Sequence, residues 1–141
     1  MRNFFVILTI CIFSGCATKP VTSVNAIPVL QAQILDPGLM EKSDTRTERV
    51  LLIRDAGFMG SAVEAVVSIN RKPIASLNQK EMVVFYLAPG KYMFSVSAKK
   101  SVLREPPGET EIEIIPNGLN NFRLRLIPGD GPRIERSQFL Q

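Results

Sequence analysis

The sequence has no histidine, and its two cysteines, Cys11 and Cys16, both fall within the first sixteen residues. Without histidine there is no Ser-His-Asp or Cys-His arrangement, no side chain that ordinarily titrates near neutrality, and no imidazole for zinc. Without a cysteine after Cys16, no disulfide can form inside the folded part, so packing must hold it together. A long apolar run is missing too. The run over residues 4–13 is ten residues, apolar except for Thr9, about half of what a membrane-crossing helix needs. Nor is there a basic stripe: the basic residues are spread singly, with Arg71-Lys72 and Lys99-Lys100 as the adjacent pairs. Removing Arg2, the only charge before Cys16, lowers the formal net charge from +4 to +3. No nucleic-acid partner is expected from that pattern.

What is present is ordinary globular composition, 21% charged and 45% hydrophobic residues, which excludes wholesale disorder and a membrane bundle. Of the 141 residues, 126 follow the first fifteen, room for one small domain.

A lone positive charge followed by the ten-residue apolar run has the order and length of a secretory signal. At its end, Phe13-Ser14-Gly15-Cys16 resembles the lipobox of bacterial lipoproteins, in which a cysteine after small residues is lipidated and becomes the new N-terminus. Phe13 stands where Leu is usual. Gly15-Cys16-Ala17 also has the small-x-small form of ordinary cleavage after Ala17. Lipidation of Cys16 is preferred because the cysteine falls at the one position the lipobox demands. The resemblance implies palmitate-type acylation and, with Ala17 rather than Asp next, the periplasmic face of the outer membrane.

The expected organisation is a removed signal peptide over residues 1–15, a lipidated N-terminus and flexible linker over 16–46, and a β-sandwich over 47–141. The linker reading rests on Pro20, Pro28 and Pro37 and the absence of a sustained period, although residues 27–35 could add an edge strand. From Glu48 onward, short β-favouring runs alternate with turn residues every eight to twelve positions, which predicts an all-β, single antiparallel sandwich of about seven or eight strands. Residues 49–54 read as a continuous apolar strand. Val63, Ala65, Val67 and Ile69 share one face of the next, and Tyr92, Phe94, Val96 and Ala98 share one face of another. Around Pro116-Asn117-Gly118, a three-residue hairpin loop with left-handed Gly118 would pair Glu109 with Arg125, Glu111 with Arg123 and Ile112 with Phe122. Residues 133–139 complete the strands, with Ile134 as the apolar contact.

Three stretches carry a family resemblance: residues 54–61 (Arg-Asp-Ala-Gly-Phe-Met-Gly-Ser), residues 87–92 (Leu-Ala-Pro-Gly-Lys-Tyr), and Asn117-Gly118 ahead of Asn121-Phe122-Arg123-Leu124. On these the chain resembles a family of small bacterial lipoproteins catalogued as domain of unknown function 2846, and more loosely the Pro-Gly-hairpin domains called PEGA. The resemblance implies a β-sandwich in the cell envelope and supplies no activity or functional residues.

No enzyme, cofactor or metal site is expected. Gly57-Phe58-Met59-Gly60-Ser61 lacks the Gly-Lys-Ser/Thr ending and following helix of a phosphate loop and reads as a turn. Arg54 and Asp55 flank that loop and could orient it or contact a partner, with a structural role favoured over binding, and Phe58 and Met59 would make a sticky tip. Arg54, Phe58 and Met59 are therefore the candidate contact for an envelope protein partner. The expected function is a non-enzymatic, lipid-anchored binding or structural module. The alternative is an envelope hydrolase or carbohydrate-binding module using Glu109, Glu111 and Glu113 on one strand face.

Overall fold

A computed structural model describes residues 19–57, 62–99, 107–127, 130–138 and 140. Among them, nine strands form two sheets packed face to face. The first runs in the order β1 (Ile27–Pro28), β5 (Glu81–Leu87), β2 (Glu48–Arg54), β8 (Asn120–Ile127), β9 (Gly131–Arg136). The second runs β4 (Lys72–Leu77), β3 (Glu64–Ile69), β6 (Gly90–Lys99), β7 (Gly108–Ile114). The all-β sandwich expected from the turn spacing is what the chain forms, but it is not wholly antiparallel. β2 lies parallel to β8, and β1 parallel to β5. These neighbours are separated in sequence by excursions elsewhere, so no tight turn fixes their relative direction.

Period-two alternation places the core. Val50 and Leu52 of β2, Val83, Phe85 and Leu87 of β5, and Phe122 and Leu124 of β8 face Val67 and Ile69 of β3, Ile74 of β4, Phe94 and Val96 of β6, and Ile112 and Ile114 of β7. Phe94 sits at the centre, its ring centroid 6.3 Å from that of Phe85 and 6.1 Å from that of Phe122. Such tilted pairs add about 0.5–1.5 kcal/mol beyond burial. The predicted inward faces hold for Ala65, Val67, Ile69, Phe94 and Val96, with Val63 and Tyr92 half-buried. Ala98 is exposed although Ala65, opposite it on β3, is buried; β7 pairs with β6 only as far as Val96.

β2 is apolar on both faces because both are covered. Leu51 and Ile53 point away from the sandwich into a second cluster with Val21, Ala56 and Leu140, flanked by Ala26, Met82 and Val84. Residues from both ends of the described chain thus cover the outer face of the first sheet.

The segment expected as a flexible linker is packed from Lys19 onward. Lys19 bridges Ala56, its N–H donating to the Ala56 carbonyl at 2.7 Å. Ile27 and Val29 donate to the carbonyls of Lys80 and Met82, and Leu35 to that of Ile74. The chain therefore passes from the β5 edge of one sheet to the β4 edge of the other and closes the seam between them. Buried Gln33 fastens it, its Nε2 donating to the Ser76 carbonyl at 3.2 Å and to Glu81 Oε2 at 2.6 Å, while its Oε1 accepts from the Leu30 N–H at 2.8 Å.

The hairpin expected around Pro116-Asn117-Gly118 does not form. β7 pairs with β6, placing Glu109 opposite Ser95 and Glu111 opposite Met93, whereas β8 pairs with β2 and β9. The connection over residues 115–119 is an arch from one sheet to the other. Ile112 and Phe122, expected as cross-strand neighbours, instead belong to the two facing sheets of one core. Asn120, buried at 1% exposure, staples the arch: its Oδ1 accepts from the Ile115 N–H at 2.9 Å and its Nδ2 donates to the Ile115 carbonyl at 3.0 Å. The left-handed residue is Asn117 at φ 53°, not Gly118. Gly118 supplies room, since a Cβ there would lie 2.9 Å from Ile115 Cγ2.

Candidate functional site

Cys16, Phe58 and Met59 lie outside the described residues, so the site is built from what surrounds the 58–61 connection. β2 ends in Arg54, Asp55 and Ala56, where the chain leaves the first sheet for β3 in the second. Arg54 joins the two sheets at this crossing. Its Nη1 donates to the carbonyls of Val63 and Leu77, both at 2.6 Å, tying β2 to the start of β3 and the end of β4. The side chain is 1% exposed. Burial pushes the guanidinium down from 12.5 to about 10, while the nearby Glu81 works in the opposite sense, so it stays protonated at neutral pH. This corrects the expectation that Arg54 helps form a partner-binding surface: it is enclosed, and its planar fork is engaged within the fold. The favoured structural role is the one the geometry gives it.

Asp55 is also buried and faces the other way, toward the outer cluster. Its Oδ1 accepts from the Val21 N–H at 3.0 Å and lies 3.4 Å from Arg123 Nη2, which also donates to the Val21 carbonyl at 3.1 Å. Burial is the largest influence and raises the carboxyl above its ordinary 3.8. The Val21 hydrogen bond and the charges of Arg123 and Arg125 oppose it, and Glu135 adds to it. Arg54 therefore fixes the base of the connection to the second sheet, and Asp55 fixes the N-terminal segment to the first. The Gln79 side chain adds a hydrogen bond to the Gly57 carbonyl, and the Lys80 N–H donates to the Arg54 carbonyl at 3.1 Å.

The acidic strand is a different kind of surface. Glu109, Glu111 and Glu113 are all exposed on the outward face of β7, while Ile112 and Ile114 face the core. Their cationic neighbour is Lys91 of β6, whose Nζ lies 3.1 Å from Glu111 Oε1. That hydrogen bond holds the Lys91 ammonium above its usual range. The expected partners are engaged elsewhere, Arg123 with Asp55 and Arg125 with Glu135. Charge parity along β7 and β8 suited the hairpin and the arch equally well.

Asp55 was singled out with Arg54 as flanking the loop, but sequence reasoning missed Gln33 and Asn120. Each is a buried polar residue whose partners come from distant segments or an irregular turn, and the visible signal was a lone amide beside an apolar run. Among the described residues, no group of three or more acidic or sulfur ligands is placed to hold a metal, and no helix is long and apolar enough to cross a membrane. Comparison with family models, with curated proteins and with solved structures returns no match.

Proposed function

We propose that this chain is a lipid-anchored lipoprotein of the bacterial envelope, acylated on Cys16, whose β-sandwich is a non-enzymatic binding or structural module for another envelope component. The observation that carries the reading is the order of the first sixteen residues: one positive charge, a ten-residue apolar run too short to span, then Ser14-Gly15-Cys16. Several acyl chains on one cysteine, at about 0.8 kcal/mol per buried methylene, anchor a protein without a spanning helix. Ala17 after the cysteine supports the periplasmic face of the outer membrane as its place.

The character of the folded part agrees with a module that holds rather than reacts. The buried charges described above, Arg54 and Asp55, are used to join segments, and Glu111 on the acidic strand is paired with Lys91 on an outward sheet face. Cells making the wild type and Cys16→Ala are compared after feeding labelled palmitate. The wild type alone takes up label; equal labelling of both, or of neither, removes the anchor and the function built on it.

A further inference from the structure

The chain leaves the sandwich at one end only a short way from the proposed anchor. Lys19 is paired with Ala56 at the end of β2, through hydrogen bonds of 2.7 and 3.1 Å. Cys16 precedes it by three residues, which span at most about 10 Å even when fully extended. A cysteine held at the lipid headgroups therefore holds Lys19, and with it this end of the sandwich, against the bilayer. The connections after β2, before β5 and before β3 gather here, because Arg54 reaches the carbonyls of Val63 and Leu77 and accepts from Lys80.

The described surface at this end suits a lipid layer. Between the attachment of Val21 to Asp55 and that of Ile27 to Lys80, the chain makes a turn closed by the Asn25 N–H on the Thr22 carbonyl at 3.1 Å. Within and after that turn, Val24 is 84% exposed and Ile27 57% exposed. Lys19 and Lys80, both exposed, flank them. Apolar side chains beside lysines that can reach phosphates match the boundary between headgroups and acyl chains.

We infer that the end of the sandwich carrying Lys19, Val24, Ile27 and Lys80 is a membrane-docking surface, and that the domain stands end-on to the bilayer. The inference rests on the acylation of Cys16 proposed above. It places the Arg54 end of β2, from which the chain runs on into the segment expected to bind a protein partner, on the lipid side. The 115–119 arch, at the opposite end of the parallel β2–β8 pair, is turned away from the bilayer by roughly 20 Å of strand.

The sequence contains no tryptophan, so a single introduced one reports its own surroundings. Full-length, membrane-matured Val24→Trp and Leu119→Trp, at positions 84% and 57% exposed, are reconstituted in phosphatidylcholine vesicles with a minority of phosphatidylglycerol, acyl chains brominated near the headgroup. Flotation of the vesicles is read first, and quenching second. Val24→Trp is expected to lose roughly half of its emission, because it sits on the turn that follows Lys19, itself held within about 10 Å of the anchor, and Leu119→Trp to lose none. Flotation without quenching at position 24, or with equal quenching at both positions, overturns the docking surface while leaving the anchor standing. Protein that does not float overturns the anchor itself, and this inference with it.

Discussion

Replacing Arg54 by methionine tests whether one buried guanidinium joins the two sheets at this end. Methionine keeps most of the apolar length and removes the donors to the Val63 and Leu77 carbonyls, both 2.6 Å away. A hydrogen bond from a charged donor contributes about 1.5–3 kcal/mol net, and a buried carbonyl left without a partner costs a similar amount. Two such bonds give an expected loss of about 3–5 kcal/mol, the range found when one partner of a buried charged interaction is removed. In a domain of this size that lowers the melting temperature by on the order of 10–20 °C. Urea unfolding followed by circular dichroism reads the loss directly, as a lower midpoint with unchanged slope. Arg54→Lys keeps the charge and a nitrogen able to donate to two carbonyls, but on a shorter stem than the one that places Nη1 2.6 Å from both, and is expected to lose about half as much. Arg54→Met with a wild-type midpoint, or a higher one, would refute the account, because the two carbonyls would then be satisfied without the guanidinium.

Three further outcomes follow from other buried polar groups. Asp55 has its folded-state pKa raised above 3.8, so the folded protein binds more protons than the unfolded chain between that value and its own higher one. Stability then falls as pH rises through that window, and the difference in unfolding free energy between wild type and Asp55→Asn should grow in favour of wild type as pH is lowered through it; a difference independent of pH contradicts this. Gln33→Ala removes the side chain that fastens the seam to Ser76 and Glu81, so amide exchange at Gln33, Ile34 and Leu35 should accelerate more than exchange at Phe85 in the core; uniform acceleration would mean the segment does not open locally. Asn120→Ala strips the arch of its bonds to the Ile115 N–H and carbonyl and should cost about 2–3 kcal/mol in the same urea assay, whereas a cost under about 0.5 kcal/mol would show that the arch holds itself.

The strands were legible because alternation is a local signal, and Ala65, Val67, Ile69, Phe94 and Val96 follow it into the core. β2 read as continuously apolar for a reason the sequence could not express: its outer face is covered by Val21 and Leu140, from opposite ends of the described chain. The partner of β7 was illegible for a sharper reason. A hairpin and an arch both place Glu109, Glu111 and Glu113 outward and Ile112 and Ile114 inward, so residue parity cannot separate them. The separating feature is Asn120, whose side chain satisfies the backbone of a turn that a hairpin would have satisfied with strand pairing. The N-terminal segment looked loose because its bonds are made by main-chain groups and Gln33 to distant edges. Proline content reported the lack of regular structure there, not a lack of attachment. For the candidate site, position beside the glycine-bearing loop singled out Arg54 and Asp55 but not the direction of Arg54, which depends on the Val63 and Leu77 carbonyls across the sandwich.

The most direct measurement is the mass of the N-terminal peptide of the protein extracted from membranes. The account predicts a peptide that begins at Cys16 and carries the added mass of a lipidated cysteine. A peptide beginning at Thr18, as ordinary cleavage after Ala17 would leave, or one that retains Met1 without acylation, would contradict it.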